Sequence, residues 1–199
     1  MEVMEPMRES LTWNDRSPHS VSTHIGRGLW NVAWLLLFRP TPKLLWRWRG
    51  LLLRVFGARL GPQAYVAASC RIWAPWNLTL EERAAMGEHV DCYNVVAVRV
   101  GREATISQYS YLCTATHEFE MPGMPLNAQP IRIGAHAWIC ADVFIGPGVT
   151  VGEGTVVGAR SSVFSDLPAW RVCFGTPAQP KRERKLVGRT SRPVGDRIS

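Results

Sequence analysis

A histidine at position 117 stands at the root of a proline-punctuated segment, in the run ATHEF of residues 115–119. Imidazole changes charge near neutral pH, so a histidine held against a hydroxyl can take its proton as the oxygen attacks an electrophile. Glu118 and Glu120 follow directly, and either carboxylate, or a main-chain carbonyl, could fix the imidazole tautomer. Cys113, four residues earlier, is placed where a thiol could in principle carry a covalent acyl group. Taken alone, His117 is equally well explained as a polar histidine at a chain corner. What decides its chemistry is the scaffold that holds it.

That scaffold is written as a six-residue period. Ile133, Ile139, Ile145, Val151, Val157 and Val163 are all β-branched aliphatics, each six residues after the last. The following position is small: Gly134, Cys140, Gly146, Gly152, Gly158. Earlier blocks repeat the spacing at Val100, Ile106 and Leu112, and at Val66, Ile72 and Leu78. A helix repeats every 3.6 residues and a strand every 2, so a period of six requires a short strand and a tight corner. Three such units close a triangular coil of eighteen residues, and stacked coils bury a continuous aliphatic column. The period slips between Leu112 and Ile133, across a segment with three prolines and a glycine. This predicts a loop over 118–130 extruded from a coil corner, a place where function gathers. Glu81 and Glu82 stand where a glycine turn is preferred, which predicts an irregular coil over 80–91.

Before the repeat the character differs. No Asp or Glu occurs between Asp15 and Glu81, while that stretch holds nine Lys/Arg and six Trp. Residues 29–38 and 43–56 read as two helices separated by Pro40 and Pro42. In the second, Leu44, Leu45, Trp48, Leu51, Leu52 and Val55 form one apolar stripe. Two readings stand: the stripe packs on the rest of the domain, or residues 27–56 contact a membrane surface as a basic, Trp-rich interfacial element. The expected organisation is a flexible arm over 1–24, an amphipathic helical extension over 25–60, a β-helix over 61–177 and a basic tail over 178–199.

The bulk properties exclude several classes. Five cysteines with no C-x-x-C argue against a disulfide framework or a cysteine zinc site. The net charge of +7 is concentrated in the last nineteen residues, which lack the interleaved aromatics that single-strand nucleic-acid binders use. No nucleic-acid partner is expected. Residues 1–20 are polar and the most apolar run, 29–38, is too short to span a bilayer, which points to a cytoplasmic protein.

The repeat, the histidine loop and a FGTPAQPKRE element (174–183) together resemble the hexapeptide-repeat O-acetyltransferases. Residues APWNLTL (74–80), ISQYSYLCTATHEF (106–119) and the run 130–161 are most similar to the colanic-acid biosynthesis acetyltransferase family, and the resemblance spans 27–183. It implies an all-β fold, a left-handed parallel β-helix with an N-terminal helical extension and one extruded loop. It implies transfer of acetyl from acetyl-CoA, as co-substrate and without a metal, to a sugar hydroxyl in exopolysaccharide biosynthesis. By motif position His117 is the general base. Asn94 resembles an acceptor-contacting asparagine, with Glu118 a base-orienting or acceptor-binding residue. Trp138, Ala141, Ala159, Arg160, Thr176, Pro177 and Arg182 would line the coenzyme A groove. The resemblance further implies a homotrimer with sites between subunits, and a sugar, nucleotide-sugar or lipid-linked saccharide as acceptor. Two alternatives share the fold: a non-catalytic scaffold, and a metalloenzyme of the γ-carbonic-anhydrase kind. For the latter, His89, His117 and His136 are 28 and 19 residues apart, neither a multiple of eighteen.

Overall fold

The computed structural model describes residues 20–186. Most of the 1–24 arm and the end of the basic tail lie outside the described residues.

Short parallel strands stack into three sheets that form the faces of a triangular rod, the parallel β-helix the repeat predicts. The first sheet stacks Arg59–Leu60, Leu78–Leu80, Val98–Val100, Ile131–Ile133 and Thr150–Val151. The second stacks Tyr65–Val66, Ala85–Met86, Thr105–Ile106, Trp138–Ile139, Val156–Val157 and Arg171–Gly175. The third stacks Arg71–Ile72, Asp91–Tyr93, Tyr111–Cys113, Phe144–Ile145 and Ser162–Val163. The inward residue of each strand is the periodic aliphatic. Val66, Met86, Ile106, Ile139, Val157 and Cys173 make one buried column, and Ile72, Cys92, Leu112, Ile145 and Val163 another. Each residue buries its apolar surface against the coil above and the coil below, which is why the repeat has to be long to be stable.

The coils are not all of eighteen residues. Val66 pairs with Met86 and Met86 with Ile106, each a coil of twenty, while the steps from Ile133 to Val151, Ile139 to Val157 and Ile145 to Val163 are eighteen. The extra residues sit at the corner between the third and first sheets, where Pro75–Asn77 forms a helical turn. The coil across 80–91 is regular, contrary to the sequence expectation. Glu81 replaces the missing glycine by accepting hydrogen bonds from the Arg99 guanidinium and, at 3.0 Å, from the Arg102 N–H of the next coil. The Arg99 guanidinium accordingly holds the Glu81 carboxyl below its ordinary range.

Glycines serve stacking more than turning. A Cβ on Gly134 would lie 2.5 Å from the Glu153 nitrogen of the next coil, so only a hydrogen fits. The left-handed backbone positions are held instead by larger residues: His89, Tyr109, Asp142 and Arg160 recur one coil apart at the corner between the second and third sheets.

Helix α1 (Val21–Ala33) begins inside the segment expected to be a flexible arm, capped by the Ser20 hydroxyl accepting from the Thr23 N–H at 3.2 Å. It continues through a wider turn over Trp34–Phe38 and stops before the two prolines. Helix α2 (Trp46–Val55) then packs on the first coil. Three side chains pin the pair. Trp30 donates to the Ile72 carbonyl at 2.7 Å and Trp34 to the Cys70 carbonyl at 2.8 Å. The buried Arg49 guanidinium donates to the carbonyls of Val66 and Pro42 and to the Thr41 hydroxyl. Trp30, Phe38, Leu52 and Leu53 join Val66 and Ile72 in the common core, closing the end of the rod.

The domain bounds shift accordingly. The first strand, Arg59–Leu60, lies within the expected helical extension, and Ala178–Glu183 is a strand antiparallel to Arg171–Gly175, where a tail was expected. The rest of the tail expectation falls on residues beyond 186, outside the described residues.

Candidate active site

The extruded segment is a β-hairpin. Ala115–His117 pairs antiparallel with Leu126–Ala128, so the loop begins before residue 118 and His117 stands opposite Leu126 near its far end. The hairpin is tied to the rod through Thr114, whose carbonyl accepts from the Gln129 N–H at 2.8 Å. The Thr114 hydroxyl donates to the Tyr93 carbonyl at 3.0 Å.

His117 is exposed, and its Nδ1 lies 2.6 Å from the Met124 carbonyl oxygen. A carbonyl only accepts, so Nδ1 carries the proton, and in the neutral ring the lone pair is then on Nε2. Of the partners weighed for orienting the ring, the main chain fills the role. Glu118 does not: its carboxylate accepts from the Asn127 amide across the hairpin, bracing the strands. Met124 reaches its position through a left-handed backbone (φ 41°) beside Gly123. The Cys113 thiol donates to the Ala115 carbonyl at 3.2 Å.

Asn94 departs from its expected role in acceptor contact. It is wholly buried, with Oδ1 accepting from the Ala74 N–H at 3.0 Å and Nδ2 donating to the Ala74 carbonyl at 2.7 Å. Both ends of the amide bond the backbone and the side chain has no exposed surface, which closes it to a substrate. Asn94 staples the widened corner directly beneath the hairpin.

The expected cofactor residues divide into two groups. Ala141, Ala159 and Arg160 line one cavity of about 390 Å³ with Tyr109 and Asp142, at the corner between the second and third sheets. Thr176 and Pro177 form the turn at the end of the same corner, where the Ser161 hydroxyl accepts from the Gly175 N–H at 3.1 Å. Ala141 and Ala159 leave room above the corner backbone, and Arg160, 3.4 Å from Asp142, supplies a cation. Trp138 lies on the second sheet, half exposed, its indole donating to the Ser107 hydroxyl at 2.9 Å. Arg182 lies on the returning strand opposite Val172, one strand length from the corner turn. Lys181, which the motif comparison passes over, sits 5.7 Å from the Phe174 ring and so nearer that turn.

Sequence reasoning also missed a cavity of about 290 Å³ between α1 and the third sheet. Arg27, Asn31, Arg71, Trp73, Asp91 and Tyr111 line it, the Arg27 guanidinium lying 4.0 Å from the Trp73 ring centre. Burial pushes the Asp91 carboxyl up, partly offset by Arg71. These residues are far apart in the chain, and the acid-free composition around α1 was their sole signal. Tyr93, another wall of the cavity, is the residue whose carbonyl holds Thr114, so the cavity is joined through one residue to the hairpin that bears His117.

His89, His117 and His136 do not converge. His89 stacks on Tyr109, His117 holds Met124, and His136 Nδ1 lies 3.0 Å from Glu103. Among the described residues no group of three or more His, Cys, Asp or Glu could hold a metal ion.

Known proteins show the family to which the chain belongs. Residues 130–165 match the bacterial transferase hexapeptide (six repeats) family. The putative colanic acid biosynthesis acetyltransferase WcaF of Escherichia coli K12 is 47% identical over 156 residues, covering 78% of this chain and 86% of that protein. The chain belongs to the hexapeptide-repeat acetyltransferases. Solved structures of this kind share its fold. A maltose O-acetyltransferase from Clostridium difficile 630 superposes with a TM-score of 0.76 at 23% identity, covering 84% of this chain and 90% of that one. A hexapeptide-repeat acetyltransferase from Vibrio cholerae, solved with acetyl coenzyme A, gives 0.76 at 22% identity over 85% and 93%.

Proposed function

We propose that this protein transfers acetyl from acetyl-CoA to a sugar hydroxyl, with His117 as the general base. The observation that carries the reading is the Nδ1 contact with the Met124 carbonyl, which leaves Nε2 as a fixed proton acceptor. Nε2 takes the hydroxyl proton as the oxygen attacks the thioester carbonyl. The new C–O bond forms, the tetrahedral oxyanion collapses, and the C–S bond breaks. The imidazolium then returns its proton to the departing thiolate. Acetyl-CoA fits the corner of Ala141, Ala159, Arg160, Thr176 and Pro177, where small side chains admit an extended chain and a guanidinium can meet phosphate. Trp138 and Arg182 on the adjoining sheet, with Lys181, would meet its far end.

The acceptor enters the cavity of Arg27, Arg71, Trp73, Asp91 and Tyr111. Aromatic faces beside paired charges suit a saccharide, whose ring has an apolar face and a polar rim. The similarity to the putative colanic acid enzyme supports an exopolysaccharide precursor, free, nucleotide-linked or lipid-linked, as that saccharide. The base and the cofactor corner lie at opposite edges of the third sheet, so one chain separates what the reaction must join. A homotrimer would complete each site, the hairpin of one subunit meeting the cofactor corner of the next. The donor sets the compartment, the cytoplasm.

The test is thiol release from acetyl-CoA against a panel of free, nucleotide-linked and lipid-linked saccharides, with the product examined for an alkali-labile acetyl ester. Acceptor-dependent release with ester formation is expected. No release toward any acceptor together with no coenzyme A binding would favour the scaffold reading.

A further inference from the structure

The helical extension carries two apolar faces, and the rod covers one of them. On α1, Trp30, Ala33, Trp34 and Phe38 face inward and are buried or packed against the core. On the opposite side, Val21, Ile25, Leu29, Val32 and Leu36 recur at spacings of four, four, three and four, and every one of them is more than half exposed. Helix α2 with its preceding turn repeats the arrangement. Arg49, Leu52 and Leu53 are buried, while Leu44, Trp48, Leu51 and Val55 form an exposed stripe, Leu44 at 89%. The stripe legible in the sequence is therefore mostly the outward one, and the packing reading fails for it. The two stripes meet at the interhelical turn, where the Trp48 indole donates to the Leu37 carbonyl at 2.9 Å. Isolated exposed leucines need no explanation, but two aligned stripes on adjoining helices mark an interaction surface.

Charge selects the partner. Arg39, Lys43, Arg47 and Arg54 are exposed around these stripes, and the described residues before Glu81 include no carboxylate side chain. No helix among the described residues is long and apolar enough to cross a membrane. An apolar helical face with a cationic border and an amphipathic indole at its edge is built to lie in the plane of an anionic lipid surface. We infer that α1 and α2 dock the protein on an anionic phospholipid bilayer, with Val21, Ile25, Leu29, Val32, Leu36, Leu44, Leu51 and Val55 immersed among the acyl chains. The inner face of α1 supplies Arg27 and Asn31 to the cavity beside the third sheet, so docking sets that cavity at the lipid boundary. The inference does not depend on which hydroxyl is acetylated.

The test is co-sedimentation of the full chain with phosphatidylcholine vesicles, with and without phosphatidylglycerol, at low and high salt. Two variants accompany it: Leu29→Glu with Leu36→Glu, and Arg39→Gln with Lys43→Gln and Arg47→Gln. All five positions are exposed, so thermal melting and turnover of a soluble acceptor should match the native chain. Binding to anionic vesicles that weakens at least tenfold in each variant and at high salt is the expected result. Absence of vesicle binding would overturn the inference, as would equal binding to neutral vesicles. A Leu29→Glu, Leu36→Glu variant that loses oligomer mass while still binding vesicles would reassign the stripes to contact between copies of the chain.

Discussion

A buried amide and a partly desolvated carboxyl near the site make opposite predictions about stability and function. Asn94 spends both ends of its side chain on Ala74. Asn94→Ala would leave the buried Ala74 N–H without a partner, while the Ala74 carbonyl keeps the Asn77 N–H at 3.0 Å, a loss of about 1–3 kcal/mol in denaturant unfolding, with the acceptor KM of the remaining folded enzyme unchanged. Asp91 is the reverse. Burial raises its carboxyl, so the native state resists its ionisation and stability falls as pH rises through the raised pKa. Asp91→Asn should therefore raise the melting temperature slightly at pH 8, by about 1–2 °C given partial exposure, with the gain vanishing in acid, while the acceptor KM increases. Equal melting at both pH values would show that the carboxyl carries no such strain. Residue type was legible at both positions, but burial was not. Asn94 resembles an acceptor-contacting asparagine of related enzymes, yet a widened corner folds it inward, and no local pattern announces that corner.

At the scale of elements, the proposed role of the hairpin rests on one carbonyl, that of Met124, which holds the His117 ring. Met124 holds a left-handed backbone and its N–H donates to the Met121 carbonyl at 3.0 Å. Proline can supply neither, since its ring locks φ near −65° and removes the donor. Met124→Pro should lower kcat at least tenfold with acetyl-CoA affinity intact, whereas Met124→Gly, free to adopt positive φ, should keep most activity. Equal activity in both variants would remove the carbonyl from the account. The existence of this element was readable, because three prolines and a slipped phase interrupt an otherwise strict six-residue period. Its form was not, since backbone partners leave no trace in residue identity. The same limit explains the coils of twenty residues. The aliphatics keep their spacing of six along each coil, and the surplus is absorbed at one corner where Trp73, Pro75 and Trp76 read as ordinary apolar positions.

For the whole molecule, the rod separates the proposed base from the proposed cofactor corner by the width of a sheet, and three chains around one axis would reunite them. Co-expression tests this. His117→Ala chains lack the base, and Ala141→Trp, Ala159→Trp chains block the corner, so each alone should be inactive. Randomly mixed trimers should recover about a quarter of native sites, each pairing an intact hairpin with an intact corner from its neighbour. No recovery would place the complete site within one chain. The triangular rod was legible because a long repeat is a global signal, and the family because residues 106–119 and 174–183 resemble its histidine loop and GTPA element. The stripe of α2 was legible as apolar and that of α1, which begins inside the expected arm, was not; whether the rod covered either depended on where Trp30 and Arg49 anchor the pair.

The most direct measurement is the ratio of kcat between the native chain and His117→Ala, read as acceptor-dependent thiol release from acetyl-CoA at pH 7.5. His117 is exposed and bears no core packing, so melting should be unchanged while kcat falls about 10²- to 10⁴-fold. A variant that melts like the native chain and turns over at a similar rate would contradict the assignment of His117 as the base.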